Sequence, residues 1–386
     1  MRLPRKGCRR LGGCALPLLF VALGACGGGS GKKGGDIDPN ARIQQTAVRE
    51  YMAGARLMKS SSAASSKRAA AKFERALEID PNLWEAHYNL GVLHRREGEL
   101  RDALQDYKRA LRIQPNARVA VLGLAEAHRA LDEAGAAVDV LEAYVPKHAD
   151  DVEARLALVI VLREKGDYDD ALEAAREILV RDASHIAALL EVGRVYREKK
   201  EYDVAELVLH KALDLKPGAA EVRNELGLVA LARGDTQLAF VEFAEAIRVD
   251  PKFTPAHANQ GSVFLLSGDY ESAAREFRAV LDVNPDDVDA RVALGAALRG
   301  QGNNGAAKVE YDKVLRAAPQ HPAALWNLAV LLAEFLDRRA EARGYFERFM
   351  EVAPTGAPER ARAEQYLKEL PTPNATPARK GKKGGR

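Results

Sequence analysis

The stretch RNELGLVALARGDTQLAFVEFAEAIRVDP, residues 223–251, decides the fold of this chain. Apolar residues recur in it at helical spacing on both sides of Gly234, which predicts two amphipathic helices. Gly234 stands where the first helix must stop and the chain must reverse, because glycine readily takes the left-handed conformation that ends a helix. Pro251 ends the second helix, since proline cannot continue it. The stretch therefore predicts a helix–turn–helix unit.

The same pattern recurs at a fixed interval along the chain. Prolines occupy positions 81, 115, 217, 251, 285 and 319, so that each gap equals the interval from Pro81 to Pro115 or a multiple of it, and seven such units run from Trp84 to His321 without an insertion. We call the residues that occupy the same position in successive units a column. One column is always alanine: Ala103, Ala137, Ala171, Ala205, Ala239, Ala273 and Ala307. A second column reads Gly91, Ala125, Val159, Gly193, Gly227, Gly261 and Gly295, and a third reads Gly98, Asp132, Gly166, Lys200, Gly234, Gly268 and Gly302. We expect paired helices to approach too closely at the first two columns for larger side chains.

Weaker copies of the unit flank the seven regular units on both sides. Residues 41–83 read as one earlier unit with a lengthened turn at Ser60 to Ser66, and residues 322–356 read as a ninth with one extra residue near Phe335. The predicted units are 41–83, 84–117, 118–151, 152–185, 186–219, 220–253, 254–287, 288–321 and 322–356. Residues 357–370 are predicted to form a cap helix, which a stack of repeats needs to cover its last exposed face. The basic, proline-rich residues 371–386 are predicted to be disordered.

This pattern resembles the tetratricopeptide repeat family, whose signature is W-x2-L-G-x2-Y, A-x3-F and P. It occurs here as His87, Leu90, Gly91, His94, Ala103, Tyr107 and Pro115. The signature tryptophan is absent from its place in all seven units. The resemblance implies an all-α fold, a right-handed α-solenoid of about nine helix–turn–helix repeats with a C-terminal cap helix. It leaves no room within residues 41–370 for a separate catalytic domain.

Residues 1–25 have the organisation of a signal peptide. Five basic residues and no acid precede an almost continuous apolar run from Ala15 to Ala25. The run is too short to span a bilayer, which takes about 20 apolar residues. Leu23-Gly24-Ala25-Cys26 resembles the bacterial lipobox, and the resemblance implies cleavage before Cys26 and lipid attachment to its sulfur. Cys14 follows a similar tetrapeptide, but no apolar run precedes it. An ordinary signal peptide cut near Ala25 is the alternative.

The segment that follows, residues 26–40, is predicted to be a flexible tether, because glycine- and serine-rich linkers behave as coils. Gly27 stands where an aspartate would retain enteric lipoproteins at the inner membrane, so the resemblance favours the periplasmic face of the outer membrane. The whole chain has 58 basic and 55 acidic residues. Without the basic residues of the leader, tether and tail, acidic residues outnumber basic ones. Such an acidic body argues against nucleic acid, whose binding proteins carry a basic footprint.

In the tetratricopeptide repeat family the first helix of each unit lines the binding groove. Carried over, one groove column reads Tyr88, Leu122, Leu156, Leu190, Asn224, Ala258, Val292 and Trp326. Another reads Arg95, Arg129, Arg163, Arg197, Leu231, Leu265, Arg299 and Ala333. The first four members of each column are the candidate partner-binding residues. The arginines could hold carboxylates or carbonyls of an extended peptide while the apolar row takes its side chains. Equally, they could pair with neighbours such as Glu126, Glu164 and Glu198.

Little in the sequence points to catalysis, a metal or a small-molecule substrate. His94 and His128 share one column of adjacent units, but without a third ligand they are better read as aromatic residues packed between helices. The body contains no H-E-x-x-H, G-x-S-x-G or G-x-G-x-x-G motif. We expect no catalytic residues, no metal and no cofactor.

Together these features predict a non-catalytic scaffold, anchored to the bacterial cell envelope, that binds a protein or peptide partner. It looks like the lipoproteins that assist outer-membrane machines, such as secretin pilotins of type IV pili and factors of gliding motility. An adaptor that recruits peptidoglycan hydrolases is the main alternative. An enzyme with its site inside the repeats is a further alternative, which would need catalytic residues among them.

Overall fold

The structure is a computed structural model that describes residues 39–60 and 62–371. Within this part of the chain every regular element is helical and no strand occurs. The predicted all-α class and the helix–turn–helix repeat are confirmed. The leader, Cys26 and the tail beyond residue 371 lie outside the described residues. The helices fall in two compact units that divide between Leu215 and Lys216.

The first unit contains ten α-helices arranged as successive antiparallel pairs. They are α1 (Pro39–Leu57), α2 (Ala63–Ile79), α3 (Trp84–Glu97), α4 (Leu100–Ile113), α5 (Arg118–Ala130), α6 (Ala134–Tyr144), α7 (Val152–Lys165), α8 (Tyr168–Arg181), α9 (Ile186–Glu198) and α10 (Tyr202–Leu215). A short 3-10 helix, Val145–Lys147, follows α6. Each odd-numbered helix packs on the even-numbered helix that follows it, and α3, α5, α7 and α9 also contact one another in that order.

The second unit contains nine α-helices. They are α11 (Ala220–Arg233), α12 (Thr236–Val249), α13 (Thr254–Ser267), α14 (Tyr270–Val283), α15 (Val288–Gly300), α16 (Asn304–Ala317), α17 (Pro322–Val330), α18 (Arg339–Val352) and α19 (Glu359–Glu369). A π-helical turn, Leu331–Phe335, extends α17. This turn accommodates the extra residue that the sequence places near Phe335, because a π turn absorbs one inserted residue within a helix.

The turn inside each pair is made as the third column predicts. All seven members of that column have left-handed backbone, with φ from 59° at Asp132 to 95° at Gly166. Asp132 and Lys200 adopt this conformation without the freedom of glycine. The repeat therefore imposes its turn geometry even where the residue type does not favour it.

The core lies between the helices of each pair. The seven alanines of the first column are all 0% exposed, as the expected close helix approach requires. In the second column, a Cβ on Gly227 would lie 2.5 Å from the Phe243 ring. Where the column carries Val159, the facing residue is Ala175, and both belong to one buried cluster. A large residue on one helix is thus matched by a small residue on the other, which keeps the interior close-packed.

Candidate partner-binding face

We define the first-helix face as the surface of α3, α5, α7 and α9 that carries the two predicted groove columns. These four helices are the first members of consecutive pairs, and neighbouring ones are in contact. Because the repeat length is constant across these pairs, each column lies at the same height on every helix, and the four arginines follow one another across the face. The face is therefore positioned by the repeat itself.

The apolar column lies deeper than the sequence predicts. Tyr88 is fully buried, and its ring lies 5.9 Å from that of Tyr107. Leu190 is only 9% exposed. Leu122 and Leu156 are half-buried and pack against the cores beneath them. The structure corrects the prediction for Tyr88 and Leu190. Tyr88 and Leu190 therefore stabilise the helix stack and are not free to take a partner's side chains.

Arg129 is neutralised within the protein. Its guanidinium forms ion pairs with Glu126 on the same helix and with Glu164 on α7, the latter at 2.8 Å. Burial lowers the pKa of Arg129, but the two carboxylates outweigh burial and raise it above its ordinary value. This arginine therefore already has its counter-charges.

Arg163 is paired more completely still. Its side chain is 10% exposed and contacts Glu191 at 2.9 Å, Glu198 at 2.8 Å and Glu164 at 3.7 Å. Burial opposes its charge, yet these carboxylates raise the pKa of Arg163 well above its ordinary value. A buried charge is tolerated only with such partners. Arg163 is thus part of the interior of the helix stack.

Arg197 also contacts a carboxylate, that of Glu198, at 3.8 Å. For Arg129, Arg163 and Arg197 the structure therefore favours the pairing alternative over an open ladder of four arginines. Arg95 differs, because no carboxylate of the described residues forms an ion pair with it. One cation of the predicted ladder remains available on this face.

In the second unit the equivalent columns are mostly uncharged. Asn259 donates a hydrogen bond to Asn224 at 2.8 Å, and the Arg299 guanidinium lies 5.9 Å from the Phe335 ring. Trp326 packs against Phe346 and against Tyr366 of α19. This amide pair was not predicted from the sequence, although its two asparagines have the same separation along the chain as the arginine–glutamate pairs.

Three histidines, His94, His128 and His257, each have a carboxylate within hydrogen-bond distance. His94 lies 2.7 Å from Asp106, His128 lies 2.7 Å from Glu133, and His257 lies 2.6 Å from a carboxylate on α14. Across residues 39–60 and 62–371, no three His, Cys, Asp or Glu side chains are grouped as metal ligands would be. The described helices also include none with the length and apolar character needed to cross a bilayer.

Comparison with known proteins places the chain in a family. Models of the tetratricopeptide repeat match residues 84–117, 122–186, 156–220, 190–253, 264–332 and 323–356, which together span more than half of the chain. The chain belongs to the tetratricopeptide repeat family. As such it is a scaffold for protein–protein interaction, of a class that is generally non-catalytic.

Two solved structures are among those similar to this chain. The crystal structure of MamA protein is 24% identical, with 43% of this chain and 90% of that chain covered and a TM-score of 0.36. The crystal structure of a tetratricopeptide repeat protein from Parabacteroides merdae ATCC 43184 is 16% identical, with 74% of this chain and 97% of that chain covered and a TM-score of 0.41. No curated protein matches the sequence.

Proposed function

We propose that this protein is a lipid-anchored scaffold of the bacterial cell envelope that binds a protein or peptide partner on its first-helix face. The observation that carries the scaffold is the run of helix pairs itself. In the first unit it presents a continuous surface of first helices, and repeat proteins bind partners on such extended surfaces. Specificity is then a property of the side chains on that face and not of the fold.

The anchor is proposed from the sequence alone. An apolar run ends at Ala25, directly before Cys26, in a tetrapeptide that resembles the lipobox. The mature chain contains no other cysteine, because Cys8 and Cys14 precede the cleavage point. Stable membrane anchoring takes more than one acyl chain, and lipoprotein cysteines carry several. Residues 27–38, which precede α1, would then act as a tether about 20 Å in average end-to-end distance.

The cellular role that we favour is assistance to an outer-membrane machine at the periplasmic face of that membrane. A type IV pilus secretin or a gliding-motility complex would be the client. This role is proposed by likeness to other repeat lipoproteins, and the proposed tether would leave the repeats free to turn near the membrane. Recruitment of a peptidoglycan hydrolase would use the same tether and the same face, so the two roles differ only in the partner captured.

The anchor is tested by replacing Cys26 with serine, with Cys14→Ser as the matched control. Cells expressing each variant are labelled with an alkyne analogue of palmitate, and membranes are separated by density. Cys26→Ser should lose the label and leave the membrane fraction, whereas Cys14→Ser should keep both. Retention of the label in Cys26→Ser would contradict the proposed anchor.

The partner is identified by crosslinking intact cells and purifying the protein from detergent-solubilised membranes. Recovery of secretin or motility subunits supports the assembly role, and recovery of wall-cutting enzymes supports the hydrolase adaptor. If no envelope protein is enriched over a strain that carries the Cys26→Ser variant, the envelope scaffold itself is contradicted.

A further inference from the structure

We propose that Arg95 is the carboxylate-binding residue of the first-helix face, and that the carboxylate comes from the partner protein. The carboxylate would belong to an Asp or Glu side chain or to the partner's C-terminus. This inference rests on the proposed scaffold function and names the chemistry of its site. It replaces a ladder of four arginines by a single available one.

The register of the repeat explains why no carboxylate of the described residues pairs with Arg95. Arg129 pairs with Glu164, and Arg163 pairs with Glu198, so each arginine meets a glutamate 35 residues later. The residue at the same separation after Arg95 is Ala130. The first helix of the next repeat therefore offers Arg95 a methyl group where Arg129 and Arg163 find a carboxylate.

Two other repeat positions supply a carboxylate to Arg129 or Arg163, and both hold an uncharged residue near Arg95. Arg129 uses Glu126, one helical turn earlier, and the corresponding residue before Arg95 is Val92. Arg163 uses Glu191 on the next first helix, and the corresponding residue for Arg95 is Gly123. All three positions that neutralise the paired arginines are thus uncharged in the repeat that contains Arg95.

The surroundings of Arg95 do not supply a counter-charge either. The residue is half-buried, and its Nε atom is buried without a hydrogen-bond partner. The nearby hydroxyl of Tyr88 is also buried without a hydrogen-bond partner, and the hydroxyl of Tyr107 lies beside the Arg95 guanidinium. Burial raises the pKa of Tyr107 to about 12, with Arg95 opposing the shift. The phenol therefore stays neutral and cannot serve as an anion for the guanidinium.

Several buried polar atoms without hydrogen-bond partners lie on α3 and α4. Of the eight such side-chain atoms among the described residues, five belong to α3 and α4. A half-buried cation without a counter-ion is unfavourable, and a charge-assisted hydrogen bond to a carboxylate is among the strongest that a guanidinium forms. An anion brought by the partner would satisfy both demands. Arg96, which is exposed on the same helix turn, adds to the positive potential.

A carboxylate fits this surface better than a nucleic acid does. Nucleic acid recognition needs a basic stripe that follows the phosphates, whereas the next three arginines of the column are neutralised by glutamates. A single available arginine, bordered by paired charges, is suited to one carboxylate of an extended peptide. The paired charges beside it would exclude a second anion.

The experiment selects dodecapeptides from a random library against the purified mature protein and measures the affinity of the best binder by fluorescence anisotropy. Arg95→Gln should weaken binding about tenfold or more, the effect of losing one charge-assisted hydrogen bond. Arg176→Gln, at an exposed arginine on α8, is the matched control and should leave the affinity unchanged. Circular dichroism confirms that both variants keep their helices.

A second variant tests the site without removing Arg95. Ala130→Glu places a carboxylate at the position that Glu164 occupies relative to Arg129, and it should weaken binding to a similar degree by pairing with Arg95 internally. The binder is also synthesised with a C-terminal amide and with each acidic side chain changed to its amide. If the C-terminal amide weakens binding, the peptide's C-terminal carboxylate is the group that Arg95 binds. If a side-chain amide weakens binding, that acidic side chain is the group.

The outcomes separate the two proposals. A peptide whose affinity is indifferent to both Arg95→Gln and Ala130→Glu overturns the assignment of Arg95 while leaving the scaffold function in place. A library that yields no binder to the folded protein contradicts the scaffold function itself.

Discussion

Replacement of Gly227 by alanine should destabilise the second unit through a single methyl group. The glycine lies in α11, and the added Cβ would be 2.5 Å from Cε1, 2.7 Å from Cδ1 and 2.9 Å from Cζ of Phe243. Carbon atoms in good contact are about 3.5–4.0 Å apart. The Phe243 ring, which is fully buried, would have to move by about 1 Å in a close-packed interior.

The magnitude follows from two opposing effects. Overpacking of a core costs about 1–3 kcal/mol, while alanine in place of glycine within a helix stabilises by about 1 kcal/mol. Gly344→Ala isolates the second effect, because Gly344 is exposed inside α18 and has nothing within 4 Å of an added Cβ. Gly227→Ala should therefore be less stable than Gly344→Ala by about 1–3 kcal/mol.

The assay is urea unfolding of the purified protein followed by circular dichroism, with the midpoints of the two variants compared. Gly261→Ala provides an intermediate case, since its Cβ would lie 3.0 Å from the nearest atom of Phe277, and its midpoint should fall between the other two. Equal midpoints for Gly227→Ala and Gly344→Ala would refute the close approach of the two helices.

Two further predictions concern charged groups. Arg163→Met should destabilise the first unit by about 3 kcal/mol, the lower end of the cost of breaking a buried ion pair. Glu191, whose side chain is 4% exposed, would then lose the Arg163 guanidinium and keep its ion pair with Arg194, and the loss of stability is measured by urea unfolding. The pKa of His257 is raised chiefly by its hydrogen bond with Glu276. A raised pKa stabilises the folded state below the unfolded value, and this stabilisation is lost as pH rises through the folded value. The stability advantage of the native protein over His257→Gln should therefore be greatest near pH 5 and fall by about pH 8, and a pH-independent difference would contradict this.

Much of the fold could be predicted from the sequence because the repeat constrains each column by a separate physical demand. The alanine column predicts close helix contact, and all seven of its members are fully buried. The turn column predicts left-handed backbone, and Lys200 obeys it against its own preference. The inserted residue near Phe335 was visible as a break in the repeat period, and it lies in a π-helical turn.

The candidate site was harder to predict, because exposure depends on how closely adjacent first helices pack. Tyr88 was predicted to line the groove, but its ring is fully buried beside Tyr107 of the same helix pair. Ion pairing was more accessible to sequence reasoning. The separation of Arg129 and Glu164 along the chain could have been tested for every arginine of the column. It leaves Arg95 and Arg197 with an alanine at that position, and of these two only Arg197 has a glutamate, Glu225, at the separation that joins Arg163 to Glu191. The repeat period alone does not predict how deeply each side chain is buried.

The central claim is that the partner docks on the first-helix face. It is tested most directly by placing a photocrosslinking amino acid at Arg96 of α3 or, as control, at Arg68 of α2. Both arginines are exposed, and they lie on a first and a second helix respectively. Irradiation of cells should give a crosslinked partner from position 96 and none from position 68. A partner captured from position 68 and absent at position 96 would contradict the account.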